Sequence, residues 1–495
     1  MPVPDHLVST DCFDTVITRA LGEPRQVGYV VAARLRAAGV VDVDGEEYVE
    51  ARERGEHLAR RRRGPGRSLA DVAAETVELL GLPATAAGDL LAAELDVEAE
   101  LTREVPGSAA DLSARRGGGA RVAFLSDTPL TGPQLDVLLR RCGVVGEGDL
   151  VWTSSDLAAE KGEGEAYAAV VGALGGRPSR WEHRGDNRRS DVLMARLSGV
   201  EATWAPAAAL TPDEHRLDAA AAATGGTSSA LAGAARLARL RLAADGRGDD
   251  RTGTATAVVA PLLVGYALWA LGRARAAGAP ALRVVGAPVG TTSLEEVLAA
   301  LAPVVAPDLR LLRGDDDAVA GEVRLHPPHV RGDAPGLRLV RDVGGRPDDG
   351  SAGWLRDDTA GTGVVEPVLD AALLVAGLAA APHPGPGLVA AELARVLGRL
   401  PELRPGADLR GPVLRVARRL ADAPTPEEAR AWAGVLPAAT AWPAARRAAA
   451  PRARRTVLRA ADRAAGGAGL VRHKVRRAAA VLGARRRWRG VSRGG

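Results

Sequence analysis

Four short segments of this 495-residue chain hold side chains that could do chemistry. The first is Asp11-Cys12-Phe13-Asp14-Thr15, directly after an apolar run, where a carboxylate would stand at the end of a strand. The second ends in Ser126-Asp127 after another apolar run, and a hydroxyl there can donate to an oxyanion. The third is Lys161, which follows a strand and a loop and starts a helix. An ammonium in that position opposes the helix dipole and gains nothing locally. The fourth, Gly185-Asp186-Asn187 with Asp191 four residues on, offers the hard oxygen ligands that Mg²⁺ prefers. Taken singly, the first three have a plain structural reading: an Asx turn at Asp11, a cap at Ser126, a surface lysine at 161.

Composition ties the four together. The chain has two Lys, two Phe, two Met, one Ile and one Asn, against abundant Ala, Gly and Arg. Such skew drives Lys toward Arg and Ile toward Val wherever physics allows, so the survivors mark positions where the substitute fails. Phe13, Ile17, Phe124, Lys161, Asn187 and Met194 all lie in or beside the four segments. For Lys161 the implied need is a compact ammonium in place of a planar guanidinium.

Charge separates the chain into two parts. The net +4 averages a body of −11 over residues 1–443 and an arm of +15 over 444–495. The basicity therefore belongs to the arm, and no specific nucleic-acid partner is expected. That arm reads as a basic amphipathic helix or a disordered tail able to meet an anionic surface or a partner protein. Cys12 and Cys142 cannot form a CxxC metal site, and Cys12 reads as a buried strand residue. The N-terminus has no signal-peptide pattern, so a cytoplasmic location is expected, with the arm as a peripheral membrane contact. Residues 252–272 carry no charge, and their Gly, Pro and Thr content predicts a buried helix over a membrane span.

The elements that must position these residues alternate. Strands are predicted up to Asp11 and over 121–126, 150–153, 181–184 and 202–204, with helices over 132–142, 162–174 and 190–197 between them. This pattern implies parallel βαβ units in a doubly wound α/β sheet. A block of helices over 24–38, 46–63, 69–80 and 86–103 interrupts it after the first strand, with capping boxes at Asp44 and Ser68. The predicted organisation is an α/β unit over 1–210 with a helical insertion at about 20–115, and an Ala-rich connector over 211–250. A second, looser α/β domain over 251–440 and a basic tail over 441–495 complete it. The arginines at 60–63 read as a solvated helix end, and the acids at 315–317 as an exposed loop.

The four segments, in this order, resemble the motifs of the haloacid-dehalogenase-like (HAD) hydrolase superfamily: DCFDTVITR from Asp11, FLSD from Phe124, Lys161, and GDNRRSD from Gly185. They look most like the branch associated with glycosyltransferases and cell-surface polysaccharide assembly, and the resemblance covers residues 8 to about 204. Pro261-Leu-Leu-Val-Gly-Tyr-Ala-Leu-Trp269 is similar to that branch's C-terminal part. Where the branch continues into a strand and Arg-Asp-Gly, this chain has Val284-Val285-Gly286-Ala287-Pro288.

The resemblance implies a HAD-like Rossmannoid fold with an inserted helical cap, and phosphoryl transfer through an aspartyl-phosphate. Asp11 would be the nucleophile, Ser126 would hydrogen-bond the transferring group and Lys161 would neutralise it. Mg²⁺ would be held by Asp11, the Phe13 backbone carbonyl, Asp186 and Asp191. Asp14, Thr15, Arg19, Asp127 and Asn187 would support them. The expected substrate is a small phosphorylated metabolite, with envelope glycan assembly as the setting. Phe13 stands where phosphatases of the superfamily carry a second Asp as general acid and base. Asp14 beside it would face the other way on an extended strand. The alternative is a catalytically weak or inactive scaffold that binds partners.

Overall fold

The computed structural model of the chain describes residues 3–284 and 291–312, then 316, 317, 319, 320 and 322–326, short strand segments between 338 and 353, residues 384–403 and 407–422, and 425 and 428. The basic tail, Asp315 and the departure at 285–288 lie outside the described residues.

Five parallel strands form the first sheet: β1 (His6–Thr10), β4 (Arg121–Ser126), β5 (Leu150–Thr153), β6 (Arg180–Gly185) and β7 (Glu201–Trp204), in the order β5-β4-β1-β6-β7. An antiparallel ribbon of β2 (Ile17–Arg19) and β3 (Thr102–Glu104) lies outside it. The predicted doubly wound α/β sheet is therefore present. Its central strands, β1 and β4, are buried on both faces, as the interior of a parallel sheet must be. Alternation along β4 shows the two faces directly. Val122 and Phe124 pack with Leu112, Leu135 and Leu139, while Ala123 and Leu125 pack with Tyr167, Val170 and Ala195.

The chain places β4 and β5 on one side of β1, then crosses to lay β6 and β7 on the other. The reversal of direction at β1 opens a crevice above the carboxyl ends of β1, β4 and β6, where such sheets bind ligands.

The inserted helices leave through β2 and return through β3. They are Gln26–Ala37, Gly45–Arg63, Leu69–Leu80 and Ala86–Leu101. Ser68 and Asp71 form the reciprocal capping box, whereas Asp44 caps its helix in one direction only, accepting from the Glu47 amide. Helix Ser108–Gly117, counted with the cap in the 20–115 boundary, packs instead against the sheet through Leu112.

The stretch read as a connector is helical and largely buried. Residues 211–250 hold helices Pro212–Asp218 and Thr227–Ala244, and the second is buried along most of its length. Its Ala, Ser and Gly residues serve close approach: a Cβ on Gly233 would come within 2.4 Å of the Ala20 backbone. One apolar core runs from the inserted helices (Val31, Leu90, Val97) through this helix to Leu263, Leu298 and Leu393. The uncharged stretch lies in Thr252–Ala276, and 83% of its most apolar window is buried within the fold. A second sheet follows, with parallel strands Ala281–Val284, Arg310–Leu312 and Val323–His326, and an antiparallel neighbour, Arg338–Val343.

Candidate active site

β1 ends at Thr10, and the Asp11 amide donates to the Arg184 carbonyl of β6 at 2.8 Å, which fixes Asp11 at the crevice floor. The chain then turns tightly, with the Val16 and Ile17 amides both donating to the Cys12 carbonyl. Asp14 stands at φ 55°, so the alternation of an extended strand does not apply to it. Its carboxylate accepts from Thr18 at 2.6 Å and pairs with Arg236 at 3.2 Å. Phe13 opens the turn, and the Arg19 guanidinium lies 4.0 Å from its ring centroid. Arg19 is committed elsewhere: it donates three hydrogen bonds of 2.8 to 3.0 Å to Glu98 of the last inserted helix.

Lys161 enters from the turn after β5. Its amide donates to Asp127 Oδ1 at 2.9 Å, so the residue after Ser126 holds the lysine loop against β4. Its Nζ reaches Asp11 Oδ1 at 2.5 Å and Asp191 Oδ1 at 2.6 Å. Thr15 Oγ1 donates to the other Asp11 oxygen at 3.3 Å. Ser126 closes β4, buried, two residues beyond the Phe124 position that pairs with Thr10.

Asp191 sits in a π-type turn, Arg188–Leu193, opened by Asn187, whose side-chain oxygen accepts from the Arg189 and Ser190 amides. Asn187 is thus a cap, and its backbone amide holds Asp191 Oδ2 at 2.9 Å. Gly185 has no alternative here, because a Cβ would fall 2.3 Å from Asp191 Cγ. Asp11, Asp186 and Asp191 bring carboxylate oxygens within 4.8 Å of one another. Three hard anionic donors this close fit a divalent cation such as Mg²⁺.

The electrostatics follow from burial. Loss of water pushes the Asp11 carboxyl up to about 7, opposed by Lys161 and reinforced by Asp191 and Asp186. Burial, with Asp14 and Asp191, pushes Asp186 up to about 6. For Asp191, burial is outweighed by the hydrogen bond to His183 and the charge of Lys161, which hold it below the usual carboxylate range. Lys161 stays charged despite burial, because Asp11 and Asp191 raise it well above an ordinary lysine. Burial and the Asp11 charge push the Cys12 thiol far up, so it is no second nucleophile.

The crevice thus gathers Asp11, Thr15, Lys161, Asp186 and Asp191, with Ser126 and Asp127 at the end of the adjoining strand. Asn187 turns inward to cap, and Arg19 and Asp14 face the inserted helices and Arg236. Sequence reasoning gave no role to His183, whose Nε2 lies 3.3 Å from Asp191 and whose Nδ1 lies 2.8 Å from Ser9 Oγ. It also missed Glu160, gripped by Arg67 at 3.0 Å and by Arg60, which ties the inserted helices to the lysine loop. The arginine run is largely occupied this way: Arg62 pairs with Glu75 at 2.6 Å and Arg63 with Asp71 at 3.4 Å.

No family model matches the chain, and no curated protein matches it. Similar solved structures include a 2-haloacid dehalogenase from Pseudomonas syringae pv. tomato DC3000, with 20% identity over 40% of this chain and 85% of that one, at a TM-score of 0.32. Another is a magnesium-bound protein assigned as a HAD-hydrolase, YfnB from Bacillus subtilis, with 15% identity over 41% of this chain and 88% of that one, at 0.31. A third is assigned as a β-phosphoglucomutase from Thermotoga maritima, with 16% identity over 40% and 83%, at 0.29.

Proposed function

We propose that this chain is a Mg²⁺-dependent phosphohydrolase of the HAD-like type, acting on a small phosphorylated metabolite. One observation carries the reading: a buried ammonium bridges Asp11 and Asp191 while Asp186 adds a third carboxylate, all at the carboxyl end of a parallel sheet. This arrangement leaves anionic charge unbalanced, which a structural ion pair would not do. Mg²⁺, held by Asp11, Asp186, Asp191 and the Phe13 carbonyl, would offset the repulsion between carboxylates and phosphate.

An Asp11 oxygen attacks phosphorus, the bond to the leaving oxygen breaks, and an aspartyl-phosphate forms. Lys161 neutralises the equatorial oxygens and Ser126 donates to one of them. Water then attacks this phosphorus, releasing phosphate and restoring Asp11. Phe13 supplies no proton to the leaving group, and its ring is packed under Arg19. Acyl phosphates and phosphoanhydrides, whose leaving oxygens depart as anions, are therefore the favoured class. Envelope glycan assembly is the proposed setting, with the basic arm on an anionic surface.

Phosphate release from a panel including acetyl phosphate and pyrophosphate, with and without EDTA, tests the proposal. Release should require Mg²⁺ and fall by about 10³-fold or more in Asp11→Asn. Release unaffected by Asp11→Asn would overturn the mechanism.

A further inference from the structure

A cavity of about 630 Å³ opens at the root of the inserted helices, lined by none of the residues gathered around Asp11. Its wall brings together Arg103 of β3, Arg141 at the end of helix Gly132–Arg141, Arg241 of helix Thr227–Ala244, and Arg395 and Arg399 of helix Pro384–Arg399. Three carboxylates share that wall: Glu104, Asp245 and Glu392. Two of them are engaged. Glu392 is held between Arg241 at 2.8 Å and Arg395, and Glu104 accepts from the Ala109 amide at 2.8 Å.

Arg141, Arg241 and Arg399 lie in the last turns of helices, where a cation offsets the dipole, and that accounts for each of them singly. Arg103 has no such reason. Its Nη1 donates to the carbonyls of Glu100 at 2.7 Å and Thr102 at 2.9 Å. Its Nη2 is buried and has no hydrogen-bond partner among the described residues. Burial and the neighbouring Arg399 push this guanidinium down to about 10, against the pull of Glu392, with Arg395 adding to the push. The cavity is therefore positive in excess, and an unused donor is buried in it.

We propose that this cavity binds a small polyanion of the phosphate class, a diphosphate or a phosphorylated metabolite. Its oxygens take the unused Arg103 Nη2 and the guanidinium groups of Arg395 and Arg399. Guanidinium forks match phosphate oxygens in pairs, and the volume is that of an ordinary small-molecule site. A buried donor without a partner is a cost that such an oxygen removes.

Calorimetric titration of the full chain with pyrophosphate in EDTA tests this, since without metal the Asp11 crevice repels anions. Arg395 and Arg399 are exposed, and Arg241 keeps its pairing with Glu392 when Arg395 is removed, so Arg395→Ala/Arg399→Ala should still fold, with an unfolding midpoint somewhat below that of wild type. Saturable binding is expected in wild type, weakened about tenfold or more in this double variant and in Arg103→Gln. It should be unchanged in Asp11→Asn. If Arg103→Gln does not fold, the surface pair alone decides. Absence of saturable binding, or binding that survives the double variant and disappears in Asp11→Asn, would overturn the site. Because the readout is binding without metal, loss of the proposed phosphohydrolase activity would leave it intact.

Discussion

The two sheets of this molecule are built from the same grammar and treat charge in opposite ways. In the first, parallel strands run out into Asp11, into Asp127 after Ser126, and into Asp186 after Gly185. There Asp11, Asp186 and Asp191 cluster about the single ammonium of Lys161. In the second, the buried charges described are Arg283 and Glu322, paired at 2.9 Å, with Arg283 also donating to the Asp317 carbonyl. The second arrangement closes on itself, and the first gathers more carboxylate charge than its one ammonium offsets. Buried charge that remains unmatched by its own protein is the mark of a site, and a parallel sheet alone is not.

The largest effect should come from removing the ammonium. Lys161→Met leaves Asp11 and Asp191 buried with no positive partner, which costs about 3–5 kcal/mol of stability. Phosphate release should disappear with it. The sign with pH follows from Asp191, whose carboxyl is held below its ordinary value against the upward push of burial. The stabilisation this gives is present above the unfolded carboxylate value of about 4 and fades as pH falls through the lower folded value. The stability gap between wild type and Lys161→Met, measured by denaturant unfolding, should therefore narrow in acid. A gap that widens in acid, or a variant as stable as wild type at neutral pH, would erase the contrast between the two sheets.

What could be read from the sequence was what depends on short range. Each short segment announces its own residue, and so the segments that bring Asp11, Ser126, Lys161, Asp186 and Asp191 to one crevice could be named, as could the helical block between β2 and β3. The rare residues were legible for physical reasons now visible: Ile17 and Phe124 are fully buried, Lys161 is gripped by two carboxylates, and Asn187 caps a turn. Contacts across the chain were not legible. Arg236 lies 217 residues from Arg19, yet its Nη2 donates to the Arg19 and Leu21 carbonyls at 2.7 Å, at the point where the chain enters the inserted helices. The signal was present but faint, a lone arginine in the stretch TSSALAGAARLA.

Arg236 stands between the two kinds of charge: buried like Arg283, yet reaching Asp14 beside the site. Arg236→Met strips partners from buried carbonyls and should cost about 1–3 kcal/mol, less than Lys161→Met. It should raise KM for the phosphorylated substrate more than it lowers kcat, because it loosens the entry to the inserted helices and leaves Asp11 and Lys161 in place. A fall in kcat alone would instead make Asp14 and Arg236 part of the chemistry.

The smallest effect should come from the closed pair. Removing one partner strands the other, so Arg283→Leu or Glu322→Leu alone should lower the unfolding midpoint clearly. Replacing both with leucine removes the attraction and the desolvation cost together, and such exchanges are often neutral. The double variant should therefore unfold within about 2–4 °C of wild type and keep its rate of phosphate release within about twofold. If the double variant folds and release collapses, the second sheet carries charge that the chemistry needs, and the division between an open and a closed sheet fails. If release holds while the midpoint recovers, the pair is a packing solution, and what sets the first sheet apart is that no exchange for apolar residues could leave it working.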